Sequence, residues 1–449
     1  MFARHSAGRI GLFLLLTAAM LVAGCYFPWE GQDKGLDSAY YRQVYMLPNG
    51  RFVGIEKIKG EATQKGLVYK AEMDEEKRLK EVVAVYNDKP INASWGLDIA
   101  GTPITLAKIT ITYEANGSMI YRFYSQNNKT VEWQMGAAAI RFKEIDKQGL
   151  PAKAEYLNGE MKPINNRGQA LAAQFTYGDY NMLETMVLSG ILKSGEDLQM
   201  KFYYDKNFIM HRLPIGMEIT DVDGNLRPGF GNIARIIWQY DKQNRLIKKQ
   251  FFGVDGELTN GNMFVNNLVP DRTNRIYERF CAFIDCVYDE NQYYPSKITF
   301  YSADGELWKS YGSATIVPQP ICKFDYDEAG NLSKVESEDS EGKAAELYSG
   351  IYALGYAYDD MGNLKECTFY NSEGQPALME GKFAKWRQVY DTYRRVTEVA
   401  YFGVNDEKIN AAIRETGKVH YFHRKVMERD SDGNIDQILY YNANDKRTK

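Results

Sequence analysis

Few side chains in this 449-residue chain have types and spacings that could do chemistry. Beyond Cys25 it holds Cys281, Cys286, Cys322 and Cys367, without a Cys-x-x-Cys pair of the kind that grips zinc. Cys286 and Cys322 share strand parity in neighbouring units of the pattern below, which makes them the candidate disulfide if the chain is exported, while the leading expectation for these cysteines is buried free thiols. Cys281 and Cys286, five apart in one strand, would face opposite ways. His420 and His423 have helical metal-site spacing, but three residues apart on a strand they point to opposite faces. Asp221-Val222-Asp223-Gly224 and Asp430-Ser431-Asp432-Gly433 look like pieces of calcium loops. Phe230 and Leu439 stand where the closing Glu belongs, so turn chemistry accounts for both. No Gly-x-Ser-x-Gly elbow, P-loop or paired metal-His motif occurs. The 59 carboxylates gather mainly at turns and single out no glycosidase pair. These residue patterns assign no catalytic residue, metal or cofactor, and the expectation is a protein that is not an enzyme. Aromatic pairs recur at the ends of predicted strands: Phe251-Phe252, Phe369-Tyr370, Tyr401-Phe402 and Tyr440-Tyr441. Facing outward, they would form a ladder able to stack on sugars or hold a protein. The structural expectation is one ring in the core and one capping a turn.

The N-terminus carries the most specific signal. Arg4 and Arg9 precede an apolar run from Ile10 to Val22, too short to span a membrane with ease and suited to a signal h-region. It ends in Leu21-Val22-Ala23-Gly24-Cys25, which resembles the lipobox of bacterial lipoproteins. The resemblance implies a diacylglyceryl thioether on Cys25, cleavage after Gly24 and acylation of the new terminus, palmitate being a typical chain. Two or three acyl chains hold a protein where one would not. It thus implies a signal peptide over 1–24, a lipidated tether over 25–39 and a mature chain outside the cytoplasm. Tyr26 rather than Asp follows the Cys, which points to the outer membrane in a diderm cell. Tyr26-Phe27-Pro28-Trp29 suits the headgroup zone or packing on the first strand.

What must position any site is a repeat. Anchors, usually Asp after Tyr, fall at Leu47, Asp74, Glu114, Asp146, Gly178, Asp205, Asp241, Asp289, Asp327, Asp359, Asp391 and Asp430. Gly or Asn recurs three places on, as at Gly117, Gly149, Asn244, Gly330 and Gly362. A second glycine precedes the unit, as at Gly101, Gly136, Gly168, Gly231, Gly350, Gly381 and Gly417. The weakest anchors are Asp205 and Asp289, and Asp221 offers a rival turn near the first. Alternation in Ile109-Thr110-Ile111-Thr112-Tyr113 and Ile236-Ile237-Trp238-Gln239-Tyr240 predicts half-buried strands. Asp offers a side-chain acceptor to the turn amides, and Gly or Asn tolerates positive φ. The 33 Tyr and 21 Phe agree with strands.

The fold class expected is all-β: tandem antiparallel hairpins over 40–449, with sub-blocks 40–200 and 225–449. More than twenty twisted strands cannot lie in one flat sheet, so it must coil like a solenoid, wrap or split. Asp74 to Val85 reads as turn plus strand, Asp406 to Thr416 as a short helix.

The order Asp359-Asp360-Met361-Gly362-Asn363-Leu364-Lys365-Glu366 resembles the YD repeats of bacterial Rhs-type surface and toxin-shell proteins, and the shorter MORN-type hairpins. It covers roughly 40 to 445 and implies architecture more than function. The chain is shorter than Rhs proteins and lacks their self-cleaving core and C-terminal toxin. Net charge is −4, becoming −6 once Arg4 and Arg9 are removed, which gives no footing for nucleic acid. The resulting expectation is a lipid-anchored, non-catalytic envelope scaffold that binds a glycan or a protein. The alternatives are a polysaccharide-active enzyme or accessory domain, and a shell or immunity component for a secreted toxin.

Overall fold

A computed structural model describes residues 36–58, 66–95, 104–132, 137–166, 169–190, 196–205, 213–229, 232–264, 278–290, 292–308, 320–347, 350–380, 382–415, 418–430 and 434–448. The expected all-β architecture is what it contains. Among the described residues there is one 26-stranded antiparallel sheet, with four two-stranded ribbons beside it. No α-helix is present there; a single 3-10 turn spans Asp179–Asn181.

The sheet begins at Phe52–Ile58, which pairs with Ala39–Met46, and that strand pairs with Leu67–Met73. Beyond Leu79–Tyr86 the order follows the sequence as a long meander, ending at Ile435–Tyr441 and the stub Arg447–Thr448. Through the stretch around 200–225 the ladder continues, Leu198–Tyr203 pairing with Gly216–Thr220 and that with Arg235–Tyr240.

Six of the hairpins close on an anchor Asp as the sequence anticipates. The Asp side chain accepts from the amides two and four residues on, at 2.8 to 3.0 Å for Asp74, Asp146, Asp241, Asp327, Asp359 and Asp391. Position three places on takes positive φ, as at Gly149 (80°), Gly362 (73°) and Asn244 (61°). Type I turns followed by such a residue leave a one-residue bulge, seen as the register shift between Ala357 and Tyr358. Lys77 and Arg394 adopt the same φ, near 60°, without being Gly or Asn.

The turn after the second strand repeats this chemistry in five units. Asn158, Asp221, Asp339, Asn371 and Asn442 accept the equivalent amide pairs at 2.9 to 3.0 Å. Asp221 therefore closes the second turn of its unit, after Gly216–Thr220, and does not replace Asp205 as its anchor.

In several units the Tyr before the anchor ties one unit to the one before it. Tyr358 Oη donates to the Leu332 carbonyl at 2.8 Å, Tyr390 to Leu364 at 2.9 Å, Tyr288 to Leu246 at 2.8 Å and Tyr177 to Pro151 at 2.7 Å. In every case the acceptor opens the second strand of the preceding hairpin. In the last unit Arg429 takes the role, reaching the Val396 carbonyl at 3.2 Å.

One apolar cluster runs through the inner face from Leu36 to Phe422 and includes Phe142, Trp238, Phe300 and Trp386. The sheet coils, because its first strands touch turns far along the chain. Asn49 and Arg51 reach Tyr177 Oη and the Asn181 carbonyl. Asn331 donates to Tyr86 Oη at 2.9 Å, and Asn87 to the Asp360 carbonyl at 2.7 Å.

One local expectation needs correcting. The short helix expected over Asp406 to Thr416 is not formed in the described part, 406–415: the turn at Gly403 is followed by the strand Ala411–Glu415, paired with Lys418–Phe422. Asp74 to Val85 is the turn and strand expected. Of the second glycines only Gly350 is described, at φ 84°; Gly101, Gly136, Gly168, Gly231, Gly381 and Gly417 lie outside the described residues.

Candidate functional site

Cys25 and the aromatic tetrad after it lie outside the described residues. The other four cysteines are buried free thiols. This is the leading expectation for them, and the candidate Cys286–Cys322 disulfide is not formed. Both pair with Ile298, from opposite sides of the strand Lys297–Tyr301. Two strand spacings are ~9.6 Å, beyond the roughly 7 Å a disulfide can bridge. Burial, with a smaller contribution from Asp285, pushes the Cys286 thiol up. Cys281 and Cys286 do not face opposite ways along one strand. The chain steps at Ala282 from the ribbon strand Glu278–Cys281 into Phe283–Val287, and both thiols enter the core.

The two histidines part company. His420 stacks on Tyr440, centroids 5.2 Å apart at 10°. His423 is buried, with Nδ1 2.8 Å from the Tyr401 carbonyl. Among the described residues no group of three His, Cys, Asp or Glu side chains is arranged to hold a metal. Asp221 spends Oδ1 on the amides of Asp223 and Asn225, and Asp430 accepts the Asn434 amide.

The recurring carboxylates are thus committed to the backbone. The Asn225 side chain and amide hold Asp221 below its ordinary pKa, and the Arg78 amide and guanidinium do so for Asp74. At Asp391 burial pulls upward, and the Arg395 amide and guanidinium outweigh it. A carboxylate held ionised by such bonds is a poor general acid.

The aromatic pairs divide between the two faces. Phe251, Phe369 and Tyr401 are core, while Phe252, Tyr370 and Phe402 sit half-buried on the outer face. The outer rings lie along the sheet rather than capping turns, as expected of one member of each pair. Arg387 covers Phe402 at 4.5 Å and Arg424 covers Tyr441 at 4.5 Å. Phe283 and Tyr301 stack on each other at 4.3 Å. Such cation–π and ring contacts were not legible, because the cation arrives from a neighbouring strand.

Functional groups concentrate most where the 359 and 391 hairpins meet. On the outer face Glu366 pairs with Arg387 and Thr368 with Lys385 across the ladder. Arg387 Nε donates to Glu366 at 2.7 Å, and its Nη2 donates to both oxygens of Asp406 at 2.9 Å. Lys385 reaches Asp406 at 3.1 Å and Glu366 at 3.6 Å. Burial would raise Asp406, yet Lys385 and Arg387 hold it low. Tyr370 ends the same strand, leaning across the pair onto Gly355. A Cβ on Gly355 would fall 2.7 Å from the Tyr370 ring. The result is a net-neutral network of donors and acceptors on one side of the strand Leu364–Tyr370, and the Tyr370 ring leaning to the other.

No protein-family model matches the chain, and no curated protein matches it. Among solved structures, 87% of the chain aligns with 23% of a chain in the crystal structure of TcdB2-TccC3-TEV, at 10% identity and TM-score 0.26. A similar alignment covers 88% of this chain and 19% of a chain in the Photorhabdus luminescens Tc holotoxin pore, at 10% identity and TM-score 0.27. A third covers 80% of this chain and 88% of a porin-like protein from Bacteroides uniformis, at 8% identity and TM-score 0.20. This chain therefore spans less than a quarter of the two toxin chains. Likeness at these scores carries no argument about function, and the fold described above stands on its own strand pairing.

Proposed function

We propose that this protein is a non-catalytic β-repeat scaffold of the bacterial cell envelope, held to the membrane by acyl chains on Cys25 and binding a glycan or a protein through its outer face. The observation that carries the binding role is the Glu366–Arg387–Asp406–Lys385 network on the outer face. The non-catalytic reading is supported by the turn carboxylates, whose oxygens accept backbone amides and are not poised for proton transfer. The anchor and the envelope location, the outer membrane in a diderm cell, rest on the lipobox resemblance alone.

Two measurements test this. Metabolic labelling with an alkyne fatty acid should mark the wild-type chain and not Cys25→Ser, which should leave the membrane fraction. Equal labelling of both would remove the anchor. The purified protein should retain an envelope glycan or protein from solubilised membranes. Turnover of a glycan or peptide by that preparation would replace the scaffold with the polysaccharide-active reading.

A further inference from the structure

The end strand of the sheet is unlike the strands before it. Ile435–Tyr441 pairs along its length with Arg424–Arg429, but on its other side only Tyr440 and Tyr441 are paired, with Thr448 and Arg447. Among the described residues no strand lies along 435–439 on that side. In earlier units the same stretch is covered by the next first strand: Val335 pairs with Leu354, and Cys367 with Trp386. Ile435 and Ile438 stand where Leu364 and Cys367 stand in the 359 unit. Leu364 and Cys367 are 5% and 0% exposed, Ile435 and Ile438 48% and 40%. Uncovered apolar side chains and an unmet backbone edge thus coincide, the combination that recruits another strand.

The charges say which strand. Seven places after the anchor, four earlier units carry a charge that meets its opposite from the next unit: Glu81 with Lys108 at 3.6 Å, Lys248 with Asp285 at 3.2 Å, Glu366 with Arg387 at 2.7 Å and Glu398 with Arg424 at 3.0 Å. In the last unit that place holds the neutral, exposed Gln437. A strand of the kind that follows elsewhere would bring a charge with nothing to meet. With a second copy of the same strand, a charge at 437 would sit close to its own image, whereas glutamine both donates and accepts and does not repel itself. The strand at the other end of the sheet, Phe52–Ile58, buries Phe52 and Ile55, so it offers no matching apolar row for head-to-tail addition.

The backbone sets the register. Phe369 N–H donates to the Ala384 carbonyl of the next unit at 2.9 Å, and Phe251 and Tyr401 do the same toward Ala282 and His423. The equivalent residue is Tyr440. Bonding direction alternates along a strand, so Ile438 turns both its N–H and its C=O outward. From these observations we infer that this edge is the joint of a two-fold dimer, in which Ile438 faces the partner's Ile438 in an antiparallel pair that exchanges both hydrogen bonds. Gln437 then lies opposite the partner's Leu439, and Tyr440 opposite the partner's Asp436, so no like charges face each other. Such a joint is isologous and closes at two copies. It goes beyond the scaffold reading and does not depend on what the outer face binds.

Sedimentation of the full-length protein in detergent, over about a hundred-fold range of concentration, should pass from monomer to dimer with no larger species. Ile438→Lys sets two cations on the axis and removes the apolar contact from both copies. It should raise the dimer dissociation constant about a hundred-fold, with circular dichroism checking that the sheet is intact. Ile438→Cys should give a reducible dimer under mild oxidation, because directly paired Cα atoms sit ~5.5 Å apart, within disulfide reach. Ile435→Cys is just as accessible, but its two copies would lie ~20 Å apart along the strands. It should therefore stay monomeric on the same gel, as should wild type. A monomer at every concentration overturns the inference. So does equal cross-linking of the two cysteine variants, or a dimer that Ile438→Lys leaves unchanged. Capture of a different protein by monomeric wild type, and not by Ile438→Lys, would give the edge to a foreign strand and likewise overturn the two-fold joint.

Discussion

The side-chain amide of Asn331 donates to the hydroxyl of Tyr86 at 2.9 Å, joining residues 245 apart in sequence. Asn331 is 3% exposed. It also donates to its own turn Asp327, so one residue closes its hairpin and the coil. Arg394 in the next-but-one turn reaches the Tyr86 carbonyl at 3.4 Å, and Asn87 reaches Asp360 between them. Three successive turns are thereby clasped by the end of a single early strand. Removing the Tyr86 hydroxyl should cost about 1 kcal/mol, and Asn331→Ala somewhat more, since it strips a donor from the buried Tyr86 hydroxyl and another from the exposed Asp327 carboxylate. A double-mutant cycle of Tyr86→Phe and Asn331→Ala, read by urea unfolding, should show coupling of about 1 kcal/mol. Additive effects would mean the two do not meet in solution.

A second prediction concerns the ties between units. Tyr358→Phe keeps the ring and deletes the bond to the Leu332 carbonyl, which should cost about 1 kcal/mol. Because the contact is between units, hydrogen exchange should quicken at the 327 and 359 hairpins together. Quickening confined to the 359 hairpin would refute an inter-unit role.

These relationships divide by range. Turn chemistry was legible because it is local: an Asp acceptor, two amides and a positive φ fall within five residues, as at Asp359 to Asn363. The Tyr of Tyr-Asp was visible as a recurring letter, but its acceptor lies 26 residues upstream at Leu332, and composition does not say which carbonyl it finds. The absence of the candidate Cys286–Cys322 bridge, and the buried free thiols expected in its place, have a physical cause. First strands of neighbouring units share parity because a second strand lies between them, and here that strand brings Ile298. The helix expected over Asp406 to Thr416 lost to pairing, since Ala411–Glu415 gains a partner in Lys418–Phe422 that its helix-forming residues do not announce. Of the candidate site, the Phe369-Tyr370 pair was visible. The Glu366, Lys385, Arg387 and Asp406 network was not, because it joins two strands and a turn.

The turns make a paired prediction about backbone strain. Lys77 is exposed with φ 61°, where an L-residue carries a penalty of about 1 kcal/mol. Lys77→Gly should raise stability by about 0.5 kcal/mol, the gain being trimmed by the freer unfolded chain. Gly374 has φ 75°, and a Cβ there would touch nothing within 4 Å. Gly374→Ala should therefore destabilise by about 1 kcal/mol through the backbone alone. Opposite signs in the two urea midpoints are required, and like signs would show the strain argument to be mistaken.

His423 gives the chain an acid-side weakness. Burial lowers its pKa, outweighing the Tyr401 carbonyl that favours the proton on Nδ1, and the nearby Lys408 adds to the lowering. The facing groups include Asp445, which opposes the shift, and Arg424, which assists it. The folded value is thus below the unfolded one, about 6.5 for a histidine. A folded protein that prefers the neutral ring keeps its full contribution above the unfolded pKa. It loses that contribution as pH falls from about 6.5 toward the lowered folded value, because the unfolded chain then binds the extra proton. Melting temperatures from pH 8 to pH 5 should diverge between wild type and His423→Gln. The glutamine variant should start lower, having lost packing against Phe402, and then fall less steeply below about pH 6.5. The turn aspartates, held low, withdraw their support only at more acidic pH and do so equally in both proteins. Parallel curves through this window would show that the ring stays hydrated enough to titrate normally, and the buried position assigned to it would have to be given up.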